Sequence, residues 1–294
     1  MTVLLLGASG LLGSNVALSL HERGWSTVGT FHTSRPDLPV RCKKCDLTER
    51  GEFRTLVEDY EPDFVINCAA LTDVDGCERH PERAQSINSQ VPDRIARVCE
   101  ESETDLVHFS TDYVFDGQKT EKYGEQDNPN PIQVYGQTKL QGESAIRGRI
   151  SDALIIRLSF VHGIHRSSEK WIGFPAWVYS ELQSGNAPTL VEDQHVTPTR
   201  AIQAADTTLD LMKRDQNGVF HVANRDCVTP YEIGQIVMTE MTAGGKIIKV
   251  SREALDTVAA RPANSCLDVR KLEQTLGRKQ PVLREQTGDL QDYI

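Results

Sequence analysis

Gly7-Ala8-Ser9-Gly10-Leu11-Leu12-Gly13 follows the apolar run Val3-Leu4-Leu5-Leu6 directly. It opens a stretch with Val16, Ala17 and Leu20 at helical spacing, which Gly24 stops. An apolar run without polar alternation is a strand buried on both faces, as in a parallel sheet. Three glycines alone are a weak signal, but between such a strand and such a helix their roles are specific. Gly7 allows the tight turn, Gly10 lets a pyrophosphate approach backbone N–H groups, and Gly13 lets helix and strand pack closely. The rival is a structural turn in a nucleotide-free α/β protein.

The rest of the first half alternates. Residues 26–31, 41–45, 64–66, 106–109 and 154–156 read as further strands. Residues 14–23, 49–59, 92–101 and 134–147 read as helices, with Ile95, Val98 and Cys99 on one face of the third. This rhythm predicts βαβ units and an α/β fold: a doubly wound parallel sheet of the Rossmann type. After residue 160 the rhythm breaks into helices over 174–183 and 231–239 and short strands over 188–192 and 219–222. We therefore expect a nucleotide-binding domain over 1–160 and a smaller C-terminal substrate lobe over 161–294, with segments returning to the first domain. There is no internal repeat and no flexible linker.

A formal charge of −10 gives no help toward nucleic acid, whose affinity comes from neutralised phosphates. No apolar stretch is long enough to span a membrane, and no cationic segment precedes the apolar N-terminus as in a secretory signal. The seven cysteines are odd in number and scattered, so the expectation is reduced thiols and a cytoplasmic protein. Cys42 and Cys45 lack the second pair a zinc site needs, which leaves strand positions or a redox pair. No metal site is expected.

After the second strand comes Phe31-His32-Thr33-Ser34-Arg35, with no acid before Asp37. An NAD site usually holds the ribose 2′-hydroxyl with an acid here, whereas Ser34 and Arg35 suit a 2′-phosphate. A solvated loop arginine is the alternative. Asp46 is a candidate for the adenine amino group, or else a helix N-cap ahead of Glu49. Tyr135 and Lys139 stand four apart in a predicted helix and so share a face. There the ammonium favours the phenolate, and a phenol so tuned delivers a proton to a carbonyl while hydride arrives from a nicotinamide. The alternative is an ordinary surface pair. Thr111, at the carboxyl edge of the fifth strand, offers a hydroxyl to the substrate oxygen.

With these residues the chain resembles the extended short-chain dehydrogenase/reductases, and within them the dTDP-4-dehydrorhamnose reductase family. The resemblance runs over nearly the whole length. It is carried by Asn67 to Asp75, Ser110-Thr111-Asp112-Tyr113-Val114-Phe115, Tyr135 to Glu143, Asp193 to Thr199, Arg261 to Ser265 and Leu267-Asp268. It implies Tyr135 as proton donor with Lys139 as its partner, and Thr111 and Asp112 at the sugar. It implies Gly10, Leu11, Leu12, Asp46, Leu47, Ala69, Ala70 and Leu71 at the cofactor, NADPH with NADH also accepted. A nucleotide-diphosphate sugar substrate and a homodimer are implied as well. The family's Trp is replaced by Phe160 and its frequent Tyr by His162, which keeps an aromatic at the sugar but loses its N–H. Two alternatives stay open: a non-catalytic subunit resembling the methionine adenosyltransferase β subunit, and a nucleotide-sugar epimerase.

Overall fold

The computed structural model describes residues 1–49 and 51–288. Position 50 of the predicted 49–59 helix, and positions 289–294 of the predicted second lobe, lie outside the described residues. The elements run β1 (Thr2–Leu6), α1 (Leu11–Glu22), β2 (Ser26–Phe31), β3 (Arg41–Lys44), α2 (Glu52–Tyr60) and β4 (Phe64–Asn67). They continue with α3 (Val74–Arg79), α4 (Pro81–Gln85), α5 (Val91–Glu101), β5 (Asp105–Thr111), α6 (Val134–Arg149) and β6 (Leu154–Leu158). The remainder is β7 (Val161–His165), β8 (Lys170–Ile172), α7 (Phe174–Gln183), β9 (Thr189–Val191), β10 (Thr199–Arg200) and α8 (Ala201–Met212). It closes with β11 (Gly218–His221), α9 (Pro230–Glu240), β12 (Ile248–Val250), α10 (Arg270–Leu276) and α11 (Leu283–Thr287).

Seven strands form one sheet in the order β11-β6-β5-β4-β1-β2-β3, every pair parallel. The sheet is doubly wound, and its order reverses between β1 and β4. Outside the carboxyl ends of those strands lies the crevice where such sheets bind ligands. Leu4, Leu6 and Val65 face a core with α2 and α5, whereas Val3, Leu5 and Ile66 face one with α1 and α8. Both faces are covered, which is why the central strands β1 and β4 are apolar runs, while the edge strand β3, Arg41-Cys42-Lys43-Lys44, is polar. No helix among the described residues is long and apolar enough to cross a membrane.

Helix α1 begins at Leu11, three residues before the start read from the sequence, because Gly13 lies inside the helix. Gly7 turns the chain with φ 76°, and a Cβ on Gly13 would sit 2.1 Å from the Gly7 carbonyl oxygen. The turn and the first helical turn therefore touch backbone to backbone. Helix α8 has no counterpart in the sequence reading; it packs on α1, where Arg23 reaches Asp210 at 2.8 Å. Its periodicity is blurred because its buried side includes Thr207 and Thr208 as well as Ala204, Ala205 and Leu209.

The expectation of seven reduced thiols is corrected. Cys227 and Cys266 form a disulfide, while Cys42, Cys45, Cys68, Cys77 and Cys99 are free. The two partners are 39 residues apart, and only the fold brings them together. Residues 263–265 return beside His195, whose N–H donates to the Ala263 carbonyl at 2.8 Å while its carbonyl accepts from the Ser265 N–H at 2.9 Å.

Gly13→Ala should destabilise the protein by roughly 1–3 kcal/mol, the usual cost of overpacking. The urea midpoint should fall with the slope unchanged. An unaltered midpoint would show that the loop relaxes freely around an added methyl.

Candidate active site

Two adjoining chambers form a groove along the carboxyl ends of the sheet and share Gly10, Cys68 and Ala70. One has a volume of about 490 Å³ and the other about 570 Å³. The first takes Leu11, Leu12 and Gly13 from the start of α1, Thr111 and Asp112 from the end of β5, Tyr135 and Lys139 from α6, and Phe160 after β6. The second takes Gly7, Asp46, Leu47, Ala69 and Leu71. Ser34 and Arg35 line neither chamber: both are exposed, the next residue, Pro36, is buried, and the Arg35 charge acts on the Cys42 thiol.

Helix α1 has no side-chain cap, since Gly10 stands at its N-cap in an extended conformation. The first N–H groups of a helix have no intrahelical acceptor, so this end is open to an anion. The Gly-rich turn is also held from β7, where His165 Nε2 lies 3.0 Å from the Ser9 carbonyl. These features, with the close approach at Gly13, fit the pyrophosphate of a dinucleotide.

The loop after β4 is fastened at two points. Asn67 Oδ1 accepts the Ala69 N–H at 3.0 Å. Asn88 brackets Leu71, accepting its N–H at 2.8 Å and donating to its carbonyl at 2.9 Å. Asn88 lies in a π-helical turn over Ser86–Gln90 between α4 and α5. Such turns are often found at functional sites, but nothing in the sequence around Asn88 signals one.

Asp46 is not a helix N-cap; Gly51 holds that place for α2. Asp46 accepts from the Thr48 N–H at 2.9 Å and from its hydroxyl, and it lies 3.2 Å from His32 Nε2. The Thr48 hydroxyl and N–H hold its carboxyl below the usual range, with His32 adding to the effect. Arg83 of α4 lines the same chamber.

Tyr135, Lys139 and Glu143 make one stripe along α6, and all three are buried. The Tyr135 phenol and the Thr111 hydroxyl line the same chamber. Lys139 Nζ donates to the Phe109 carbonyl at 2.6 Å and lies 3.3 Å from His108 Nε2. Burial lowers the lysine to about 8, with Glu143 and Cys68 opposing. The expected lowering of the phenol by this ammonium is not what this geometry gives. Burial pushes Tyr135 up instead, and the Thr111 hydroxyl is the opposing influence. Glu143 is committed to Arg157, with contacts of 3.0 and 2.7 Å.

Asp112, expected at the sugar, lines the first chamber but has its carboxylate already engaged. Its Oδ2 accepts from Ser159 at 2.7 Å and from Ser265, and its Oδ1 accepts from Thr111 at 3.1 Å. Phe160 reaches the chamber with φ 44° and packs edge-on against Phe174. His162, expected near it, is fully buried outside the groove lining, with neither ring nitrogen paired. Sequence reasoning missed Asn88, Ser159 and His108; a histidine inside the apolar run 106–109 was the one available signal.

Comparison with known proteins places this geometry. Residues 1–293 match the family model described as RmlD substrate binding domain. The chain is 44% identical over 292 residues to the probable low-salt glycan biosynthesis reductase Agl14 of Haloferax volcanii, covering 99% of this chain and 97% of the relative. The crystal structure of a hypothetical dTDP-4-dehydrorhamnose reductase from Sulfolobus tokodaii superposes with TM-score 0.86 at 32% identity, covering 96% of this chain and 97% of that one. The methionine adenosyltransferase 2 subunit beta of Bos taurus is 28% identical, covering 94% of this chain and 82% of the relative.

Burial raises the Asp112 carboxyl from 3.8 to about 6, against the lowering by Ser265, Ser159 and Thr111. A carboxyl raised on folding adds stability below its unfolded value that is lost as pH rises through its folded value. Asp112→Asn removes this slope. Relative to wild type, the variant should gain roughly 3 kcal/mol in urea stability between about pH 4 and pH 7. An equal difference at the two pH values would overturn the burial argument.

Proposed function

The chain belongs to the RmlD substrate-binding-domain family and is an NAD(P)H-dependent oxidoreductase, and on that premise we propose that it reduces the 4-keto group of a nucleotide-linked 6-deoxysugar. The substrate we favour is dTDP-4-dehydrorhamnose, and the product, dTDP-rhamnose, is a glycan precursor made in the cytoplasm. The reading rests on one observation above all: Thr111, Tyr135 and Lys139 line a single cavity that opens onto the uncapped start of α1. The similarity to a glycan biosynthesis reductase over nearly the whole chain supports it.

The nicotinamide supplies the hydride when bound. Gly10, Leu11, Leu12 and Gly13 would hold its pyrophosphate, and Asp46, Leu47 and Ala69 to Leu71 would wall its adenosine end. The sugar carbonyl oxygen takes a hydrogen bond from Tyr135, with Thr111, held by Asp112, beside it. As hydride reaches the carbonyl carbon, the Tyr135 phenol gives its proton to that oxygen, and the C=O becomes CH–OH. Burial keeps the phenol protonated through the neutral range, as a general acid requires. Lys139 orients the cofactor and, while charged, offsets the phenolate left behind. Asp112 holds Thr111 rather than the sugar, and Phe160 packs on the sugar ring.

The test is absorbance at 340 nm with NADPH and dTDP-4-dehydrorhamnose. Steady oxidation is expected, and Tyr135→Phe should lower kcat roughly 10²–10⁴-fold with NADPH binding unchanged. NADPH bound without turnover on any 4-keto-6-deoxysugar would favour a binding subunit of the kind named in cattle. Near-normal turnover by Tyr135→Phe would remove the proton donor assigned here.

A second outcome concerns pH. Because the Lys139 ammonium titrates near 8, kcat should fall above about that pH as the charge is lost. A rate flat to pH 10 would show that the lysine charge is not used (roughly two units beyond that titration).

A further inference from the structure

His108 links Lys139 to the loop after β4. Its Nε2 lies 3.3 Å from Lys139 Nζ, and its Nδ1 lies 3.1 Å from the side-chain nitrogen of Asn67. All three side chains are buried. Donor and acceptor accounting then fixes each role. The Ala69 N–H can only donate, so the end of Asn67 that receives it is the oxygen. The end facing His108 is therefore the NH₂, which also can only donate, so Nδ1 accepts. Burial holds the ring neutral, well below the ordinary histidine range. A neutral ring that accepts at Nδ1 carries its proton at Nε2. That N–H points at Lys139, and only a free amine has the lone pair to receive it.

An ammonium at Lys139 reverses the requirement. Nε2 must then accept, so the imidazole proton moves to Nδ1 and the Asn67 amide must turn its oxygen toward it. The Ala69 N–H, in the wall of the second chamber, then faces an NH₂ and loses its acceptor. We propose that Asn67 and His108 are positioning residues that couple the charge on Lys139 to the backbone amide of Ala69, so that the proton inventory of the catalytic helix and the cofactor loop change together.

The other titratable groups facing Lys139 are Tyr135 and Glu143 on α6 and Cys68 after β4. Burial pushes the Tyr135 phenol and the Cys68 thiol up, and Glu143 is committed to Arg157. The response to a charge on Lys139 therefore falls to the His108 tautomer. The coupling is a property of the protein alone; its effect on rate rests on the reductase reading above.

Imidazole ¹⁵N NMR on histidine-labelled protein, titrated without cofactor through the Lys139 range near pH 8, tests it. The ring should carry its proton at Nε2 above that range and at Nδ1 below it, staying neutral throughout. In N67D a carboxylate accepts from both the Ala69 N–H and Nδ1–H. The ring should then stay in the Nδ1–H form at every pH, and Lys139 should titrate higher by about one unit or more. The high-pH limb of kcat should move up with it. A wild-type ring that keeps one tautomer through the titration overturns the coupling, as does N67D with wild-type behaviour. A protein whose ring switches but which oxidises no NADPH keeps the coupling and loses the reductase reading, so the two failures are distinguishable.

Discussion

A lysine nitrogen with almost no access to water organises the middle of this molecule. Lys139 is 2% exposed, and an unpaired buried cation costs several kcal/mol or neutralises itself. The Phe109 carbonyl supplies its strongest hydrogen bond, which fixes α6 against β5. One turn further along, Glu143 is equally buried and needs its own partner. Arg157 on β6 meets it with two nitrogens and lies 5.2 Å over the Phe115 ring. The relative placement of α6, β5 and β6 thus follows from satisfying one charge after another. Removing a single member of such a buried pair costs far more than removing both. The same requirement sets Tyr135 in place, since it stands one turn before Lys139 on the same stripe.

Segments beyond β6 are tied to this frame through Asp112. Hydroxyls reach its carboxylate from Thr111 on β5, Ser159 after β6 and Ser265 on the returning segment. The disulfide of Cys266 fastens that segment one residue further on. Hydroxyl donors suit a carboxylate, which accepts at several lone pairs, yet they do not outweigh the burial that raises its pKa. The knot therefore costs electrostatic energy and returns geometry: it holds Thr111 beside Tyr135. Phe160 follows Ser159 directly and sits in the left-handed region, a conformation costly for a bulky side chain. Strain of this kind persists where the surroundings fix the backbone, and here they fix it beside the cavity.

The parallel sheet was legible because six of its seven strands lie in the first 160 residues, most of them short apolar runs, with glycines marking the turn after β1. The candidate site was legible where its residues are close in the chain: Gly7 to Gly13 around one turn, and Tyr135 with Lys139 on one helical face. What could not be read depends on contacts between distant segments. Asn88 meets Leu71 across 17 residues, Ser159 meets Asp112 across 47, and Cys227 meets Cys266 across 39. None of these has a local pattern, because a single buried polar side chain leaves no periodic trace. Helix boundaries slipped for a different reason. Gly13 reads as part of a turn by residue type, yet it is helical because only glycine fits against Gly7 there.

The second chamber shows most clearly how a local rule can be met by distant residues. The rule looks for an acid at the end of the second strand, and the sequence offers none before Asp37. In the fold a carboxylate arrives from the end of β3 instead, since Asp46 lines this chamber beside His32. Arg35, the cation sought there, is exposed and does not line this chamber. Pro36 is buried next to it, and the Asp37 N–H donates to the Ser167 hydroxyl at 2.9 Å. The guanidinium lining the chamber is that of Arg83, on a helix that follows β4 rather than β2. The charge lining this chamber is thus a balance among Asp46, His32 and Arg83. Three different βα connections supply those residues, so no single loop in the sequence determines the sign of that balance.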